Sequence, residues 1–197
     1  MSRATQSAII WPEKYLPGTT DNFVSNEIFA RGITAKQIWE QLADVSKWPS
    51  YYYNCEKIVP PSSGPILKKG DTFKFSTFGF PVLTCPVEEC GPPFIDESVN
   101  PTSREAGRIA WSAVLDGSRD EKVEVYHAWL VEDLDGERVR ILTQESQCGV
   151  PAAQLASAKP NKMLLGHQDW LEGLVRAAKG EGKAKETETN LGSYRTI

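Results

Sequence analysis

His127 and Glu145 are the residues whose types and spacing best suit proton chemistry. They lie in residues 123–146, VEVYHAWLVEDLDGERVRILTQES, which read as two strands about a tight turn. Side chains alternate faces along a strand. One face therefore carries Val125, His127, Trp129 and Val131, then Val139, Ile141, Thr143 and Glu145. A loop of Leu134, Asp135 and Gly136 fits a type I turn closed by a glycine bulge. It pairs Asp133 with Glu137, Val131 with Val139, Trp129 with Ile141, His127 with Thr143 and Val125 with Glu145. The apolar members then share one face, and Glu124, Glu132, Arg138 and Arg140 take the other. In this register His127 and Glu145 are diagonal neighbours, ~7–8 Å apart at Cα and within reach of each other.

A carboxylate that holds an imidazole fixes its tautomer and raises its basicity. Such a pair suits removal of a proton beside a ketone, as in an aldol or dehydration step. Polarising the carbonyl needs a donor, for which Tyr51, Tyr52, Tyr53, Thr143 and Gln147 are candidates. A plainer alternative stands beside this one. A single histidine in a sheet is more often a satisfied core or rim residue, and Glu145 near a strand end can reach solvent or a loop amide.

These residues need a frame. Residues 22–32 read as a first strand. Thr34 and Gln37 then form a capping box, and Ile33 and Ile38 have the spacing of a hydrophobic staple. Ile38, Trp39, Leu42 and Val45 make a helical apolar stripe that ends near Lys47, ahead of Pro49. Strands follow at 55–60, 71–80, 82–90 and 108–115, before the hairpin. Short connections favour an antiparallel sheet. A long helix comes last, with Asn161 as its cap and Gly180 as its end. Met163, His167, Trp170, Leu171, Leu174 and Ala178 share one face of it. A shorter helical piece precedes it at 152–158. A sheet must bury one face, and this amphipathic helix is the available cover. The space between them is the place for a ligand.

Hydrophobic residues make up 40% of the 197, enough for one packed domain, expected over 21–179. Residues 1–20 read as an irregular arm, with Ile9, Ile10 and Trp11 able to dock, and 180–197 as a flexible charged tail. Net charge is -4 with no basic block, which argues against nucleic acid and anionic lipid. No run is apolar enough for a secretory signal or a membrane span, so a cytoplasmic protein is expected. Cys85 and Cys90 lack a usual zinc spacing, and the two histidines are far apart in sequence, so no metal is expected. No glycine-rich nucleotide loop follows a strand, so no cofactor is expected either.

The order of these elements, with their residues, resembles the SRPBCC superfamily of START-like and birch-pollen-allergen-like proteins. ITAKQIWEQLADVSKWPSYYYNCEKI, with Trp39, Asp44, Trp48 and Pro49, resembles its first helix and turn. LKKGDTFKF resembles its third strand, IAWSAVLDG and the hairpin its last three, and GHQDWLEGLVRAAK its terminal helix. The resemblance covers residues 22–179 and looks closest to polyketide cyclase/dehydrase-like proteins. It implies an α+β helix-grip fold: a curved antiparallel sheet of about seven strands wrapped around a long C-terminal helix, enclosing a hydrophobic cavity. It transfers no catalytic residue, because the superfamily has no universal catalytic motif.

The expected function is binding of a hydrophobic small molecule of secondary metabolism, such as a polyketide or aromatic metabolite. Cofactor-free cyclisation or dehydration would be catalysed by His127 and Glu145. The expected ligand contacts are Tyr51, Tyr53, Trp111, Trp129, Ile141, Thr143, His167 and Trp170. A carrier or sensor without chemistry is the alternative, and an interaction module with a filled core is a third. A homodimer is allowed by the sequence.

Overall fold

Period-two alternation shapes the sheet. In β1 (Asn22–Arg31), Asn22, Val24, Asn26 and Ala30 are buried, Ile28 is half-buried in the same row, and Phe23, Ser25, Glu27 and Phe29 are exposed. Six further strands follow: β2 (Glu56–Val59), β3 (Thr72–Ser76), β4 (Leu83–Gly91), β5 (Gly107–Leu115), β6 (Val123–Leu134) and β7 (Arg138–Cys148). The structure, a computed structural model, describes residues 6–93 and 105–181. The seven strands form one antiparallel sheet in the order β1-β7-β6-β5-β4-β3-β2. Four helices accompany it: α1 (Ala35–Leu42), α2 (Trp48–Tyr51), α3 (Val150–Ser157) and α4 (Lys162–Ala178). The long α4 lies in the curve of the sheet, so the fold is α+β and of the helix-grip type. The expected flexible tail lies, from residue 182 onward, outside the described residues.

Local chemistry explains how α1 begins and why it is short. Thr34 and Gln37 form the full capping box, and the staple residues Ile33 and Ile38 are both buried. The single helix expected to run to Lys47 instead breaks after Leu42. There, Leu67 N–H donates to Ala43 O at 2.8 Å and Val45 N–H to Pro65 O at 3.0 Å, drawing the backbone into a bridge with the loop before β3. Asp44 caps the 3-10 turn that follows, and Pro49 sits in the first turn of α2, where its missing N–H costs nothing. Trp48 is fully buried and donates from Nε1 to Leu42 O at 2.9 Å.

The space between sheet and α4 is mostly filled. Trp170 of α4 stacks on Tyr52 at 4.3 Å and meets Trp48 and Trp129 edge-on, each at 5.1 Å. Phe73, Phe75 and Trp111 close around Trp48. Two glycines of α4 permit this closeness. A Cβ at Gly173 would lie 2.1 Å from the carbonyl oxygen of Tyr51, and one at Gly166 would lie 2.2 Å from the Phe78 ring.

The outer face of the hairpin is covered as well. Besides its charged residues it carries Tyr126, Ala128, Leu130 and Leu142, all buried beneath the N-terminal arm. The hairpin's apolar residues therefore occupy both faces, not one. Tyr15 stacks on Tyr126 at 5.5 Å, Trp11 lies 5.7 Å from the same ring, and Ile9 is buried. Arg140, also buried here, donates to Glu132 at 2.7 Å, to Glu27 at 2.5 Å and to Ser7 O at 2.8 Å. An arm that ties down its own polar groups in this way is part of the packed domain.

Candidate functional site

The hairpin register brings the site residues closer than expected. The loop consists of Asp135, Gly136 and Glu137, the last two at φ 76° and 55°, so Leu134 pairs with Arg138. The pairing is therefore displaced by two residues from the expected one. A two-residue shift preserves the faces, so the inward set is unchanged. It puts His127 directly opposite Glu145, and Thr143 opposite Trp129.

A third group joins them from α4. His127 Nδ1 lies 3.1 Å from Glu145 Oε2, and His167 Nε2 lies 3.3 Å from the same oxygen. The imidazole rings stack at 4.5 Å with an 18° tilt. All three side chains are almost wholly buried. The separation of the histidines in sequence was thus no guide to their distance, because α4 folds back across β6 and β7.

An amide relay fixes the carboxylate. Gln147 Nε2 donates to Glu145 Oε1 at 2.5 Å, Asn22 Nδ2 to Gln147 Oε1 at 2.8 Å, and Asn161 Nδ2 to Asn22 Oδ1 at 3.2 Å. Asn161 Oδ1 accepts from Met163 and Leu164 at the start of α4. The two ends of this chain set the direction of every amide. A carboxylate only accepts, so Gln147 must present its NH2; the helix N–H groups only donate, so Asn161 must present its oxygen. The cap of α4 and the orientation of Glu145 are therefore one construction.

Burial, and then the neighbouring His167, hold His127 well below the usual imidazole range. Neutral His127 donates from Nδ1 to Glu145, leaving Nε2 to accept from the Thr143 hydroxyl at 2.7 Å. Both of its nitrogens are thus engaged. His167 differs: with Nε2–H directed at Glu145, its Nδ1 is buried and has no protein partner.

The cluster lines a pocket of about 40 Å³, space for about three waters. Its wall is otherwise largely apolar, including Phe75, Leu83, Trp111, Val125, Met163 and Trp170. Among the described residues, the only ones that line the pocket from outside strands and helices are Thr77, Phe78 and Phe80, from the loop joining β3 to β4. That loop is tied back by Phe78 N–H to Asn54 Oδ1 at 2.9 Å. The hydrophobic cavity that the resemblance implies is here a small one, because indole and phenyl rings occupy the space between sheet and helix.

No protein-family model matches the chain, and no curated protein matches it. Among solved structures, the hypothetical protein jhp0584 from Helicobacter pylori is 46% identical, over 90% of this chain and 99% of that one, with a TM-score of 0.80. The chain belongs to the family of jhp0584. Protein MLL2253 from Mesorhizobium loti is 11% identical over 81% of this chain and 98% of that one, with a TM-score of 0.56. A conserved protein from Geobacillus kaustophilus is 13% identical over 80% and 95%, with a TM-score of 0.51. These two share the fold alone. That fold is a helix-grip architecture, a curved antiparallel sheet closed over a long C-terminal helix.

Trp111, His167 and Trp170 line the pocket beside His127 and Glu145. The remaining residues expected to touch ligand lie elsewhere. Tyr51 donates to Gln41 O at 3.2 Å, on the side of α4 facing α2. Tyr53 reaches outward to Asp169 at 2.7 Å. Trp129 and Ile141 are core, and Thr143 stands behind His127. Of the three tyrosines, Tyr52 is the one that packs on Trp170, and it does not line the pocket. Sequence reasoning named Asn161 as a helix cap and Gln147 as a donor, but not Asn22 as the link that joins them to Glu145. Asn22 opens the first inward-facing row of β1, and that position was the available signal.

Proposed function

We propose that this chain is a polyketide-cyclase-like protein that binds a hydrophobic small molecule in the cytoplasm and moves a proton on it. The single observation that carries this reading is the buried His127–Glu145–His167 cluster on the wall of an otherwise largely apolar pocket. A polar cluster costs stability in such a place, and perturbed titratable groups in a pocket mark candidate working sites. The division of labour differs from the one the hairpin suggests. His127 has no free nitrogen and holds Glu145 in place, while Glu145 orients His167, whose Nδ1 is the available base.

The ligand enters by displacement of the loop bearing Phe78 and Phe80, since the other walls are hydrogen-bonded elements. As it stands, the pocket holds only a small polar fragment beside the cluster. The body of a ring-sized ligand takes the volume that the two phenyl rings leave. Removal of a proton beside a carbonyl is the elementary step shared by cyclisation and dehydration.

Exchange of the α-protons of a methyl aryl ketone in heavy water, followed by NMR, tests the step without requiring the natural substrate. The native protein should accelerate exchange, His167→Phe and Glu145→Gln should abolish it, and His127→Gln should weaken it. Equal exchange in the native protein and His167→Phe would remove the catalytic role. The carrier reading is favoured by the apolar wall. It would be supported if the protein retained a compound through purification, seen by native mass spectrometry, and returned it unaltered after long incubation.

A further inference from the structure

We infer that His127, Glu145 and His167 form a binding site for one divalent first-row transition ion, of the Zn2+, Fe2+ or Mn2+ class. One donor atom from each of the three lies within 4.8 Å of the others. The donors come from β6, β7 and α4, so the site exists only in the folded chain. Bonds from such an ion to imidazole nitrogen or carboxylate oxygen are about 2.1 Å, so two ligands at a tetrahedral angle stand about 3.4 Å apart and two at a right angle about 3.0 Å. The observed separations from Glu145 Oε2 are 3.1 Å and 3.3 Å. These two spacings suit a shared ion, and the two imidazoles, stacked at 4.5 Å with an 18° tilt, must turn apart for both nitrogens to aim at it.

Charge points the same way. Glu145 is buried, and among the described residues no lysine or arginine pairs with it. Its only ionic partners are imidazoles, whose charge is optional. An ion would replace the N–H protons directed at Oε2 and supply the missing positive charge. The surrounding contacts suit that state. Gln147 holds the outer carboxylate oxygen, and the Thr143 hydroxyl faces the far nitrogen of His127, where its oxygen would accept a hydrogen bond from Nε2–H once Nδ1 binds metal. Two imidazoles and one carboxylate favour borderline transition ions over Ca2+ or Mg2+. Three protein ligands leave coordination positions open, as in catalytic rather than structural sites. The adjoining space has room for water or a small oxygen ligand there.

This goes beyond the acid–base reading: a bound ion would lower the pKa of a water at its open position, and the resulting hydroxide, rather than His167, would be the base. Binding is measured on the full chain after dialysis against a chelator, by titration with Co2+ and displacement with Zn2+. One Co2+ per chain should bind, with visible ligand-field bands that Zn2+ abolishes. Glu145→Gln and His167→Phe should lose the bands. Gln147→Leu should keep them while weakening binding ~10–100-fold. Cys148→Ser should bind like the native protein, since no thiol belongs to the site. Absence of bands with folded native protein at millimolar Co2+, or unchanged affinity in Gln147→Leu, overturns the inference. These two results decide even if a ligand variant fails to fold. No arm depends on ketone exchange, so this inference and the proton-transfer reading fail separately.

Discussion

Substituting alanine at Gly173 and at Gly166, two turns apart on α4, should give opposite kinds of damage. At Gly173 the new methyl meets the carbonyl oxygen of Tyr51 at 2.1 Å, more than an ångström short of ordinary contact. Backbone cannot turn aside, so α2 and α4 must separate. Overpacking of this kind costs about 3 kcal/mol at the upper end of its usual range. Alanine returns ~1 kcal/mol of helix propensity. The net loss of about 2 kcal/mol lowers Tm by ~4–8 °C in a chain of this size. At Gly166 the obstacle is the tip of the Phe78 ring, 2.2 Å away, on a loop that can swing out. Lost burial of Phe78 is worth about 1.5–3 kcal/mol, and helix propensity again offsets ~1 kcal/mol. The smaller drop in Tm should come with an opened pocket and strong binding of a hydrophobic fluorescent dye. Calorimetry and dye fluorescence on both variants make the comparison, with Gly91→Ala as a control where nothing lies within 4 Å. An unchanged Tm in Gly173→Ala would refute the packing argument. Absence of dye binding in Gly166→Ala would refute Phe78 as the movable wall.

Stability should fall in acid partly through His127. Folded, it resists protonation, while in the unfolded chain it takes a proton near pH 6.5. The unfolded state thus binds more protons below that pH, and stability drops as pH falls, by up to about 1.4 kcal/mol per pH unit from this group. Urea unfolding at pH 7 and pH 5 should show a larger loss in the native protein than in His127→Gln. Arg140→Met should cost about 3 kcal/mol, because Glu132 stays buried without its cation; Arg140→Met combined with Glu132→Gln should recover part of it, as read by urea midpoints. Burial pushes the thiols of Cys55 and Cys85 up to about 12, so a thiol reagent at pH 8 should modify the partly exposed Cys148 first and reach those two only on unfolding. Fast labelling of all four in the folded protein would contradict the burial.

Local rules account for much of this chain. The capping box at Thr34, the cap at Asn161 and the period-two strands depend on neighbours in sequence, and they appear where their residues place them, save that the strand expected over 71–80 ends at Ser76. The inward face of the hairpin was legible for the same reason: it depends on parity, and the register moved by two. The register itself was not legible. Both Leu134-Asp135-Gly136 and Asp135-Gly136-Glu137 make three-residue loops, and only the pairing of whole strands chooses between them. The end of α1 also escaped a local reading, since contacts with Ala43 and Val45 from the loop before β3 draw the chain out of the helix.

Sequence alone determined that His127 and Glu145 face the same interior, because alternation along a strand needs no tertiary partner. Only the tertiary structure decided what they meet there. His167 arrives from a helix that packs across the sheet, and Gln147 is oriented through Asn22 by the cap of that helix. Four tryptophans, of which Trp111, Trp129 and Trp170 were expected to touch ligand, converge on one another and shrink the pocket. Such meetings depend on how a sheet curves and where a helix lies on it, and no spacing along the chain encodes those two quantities.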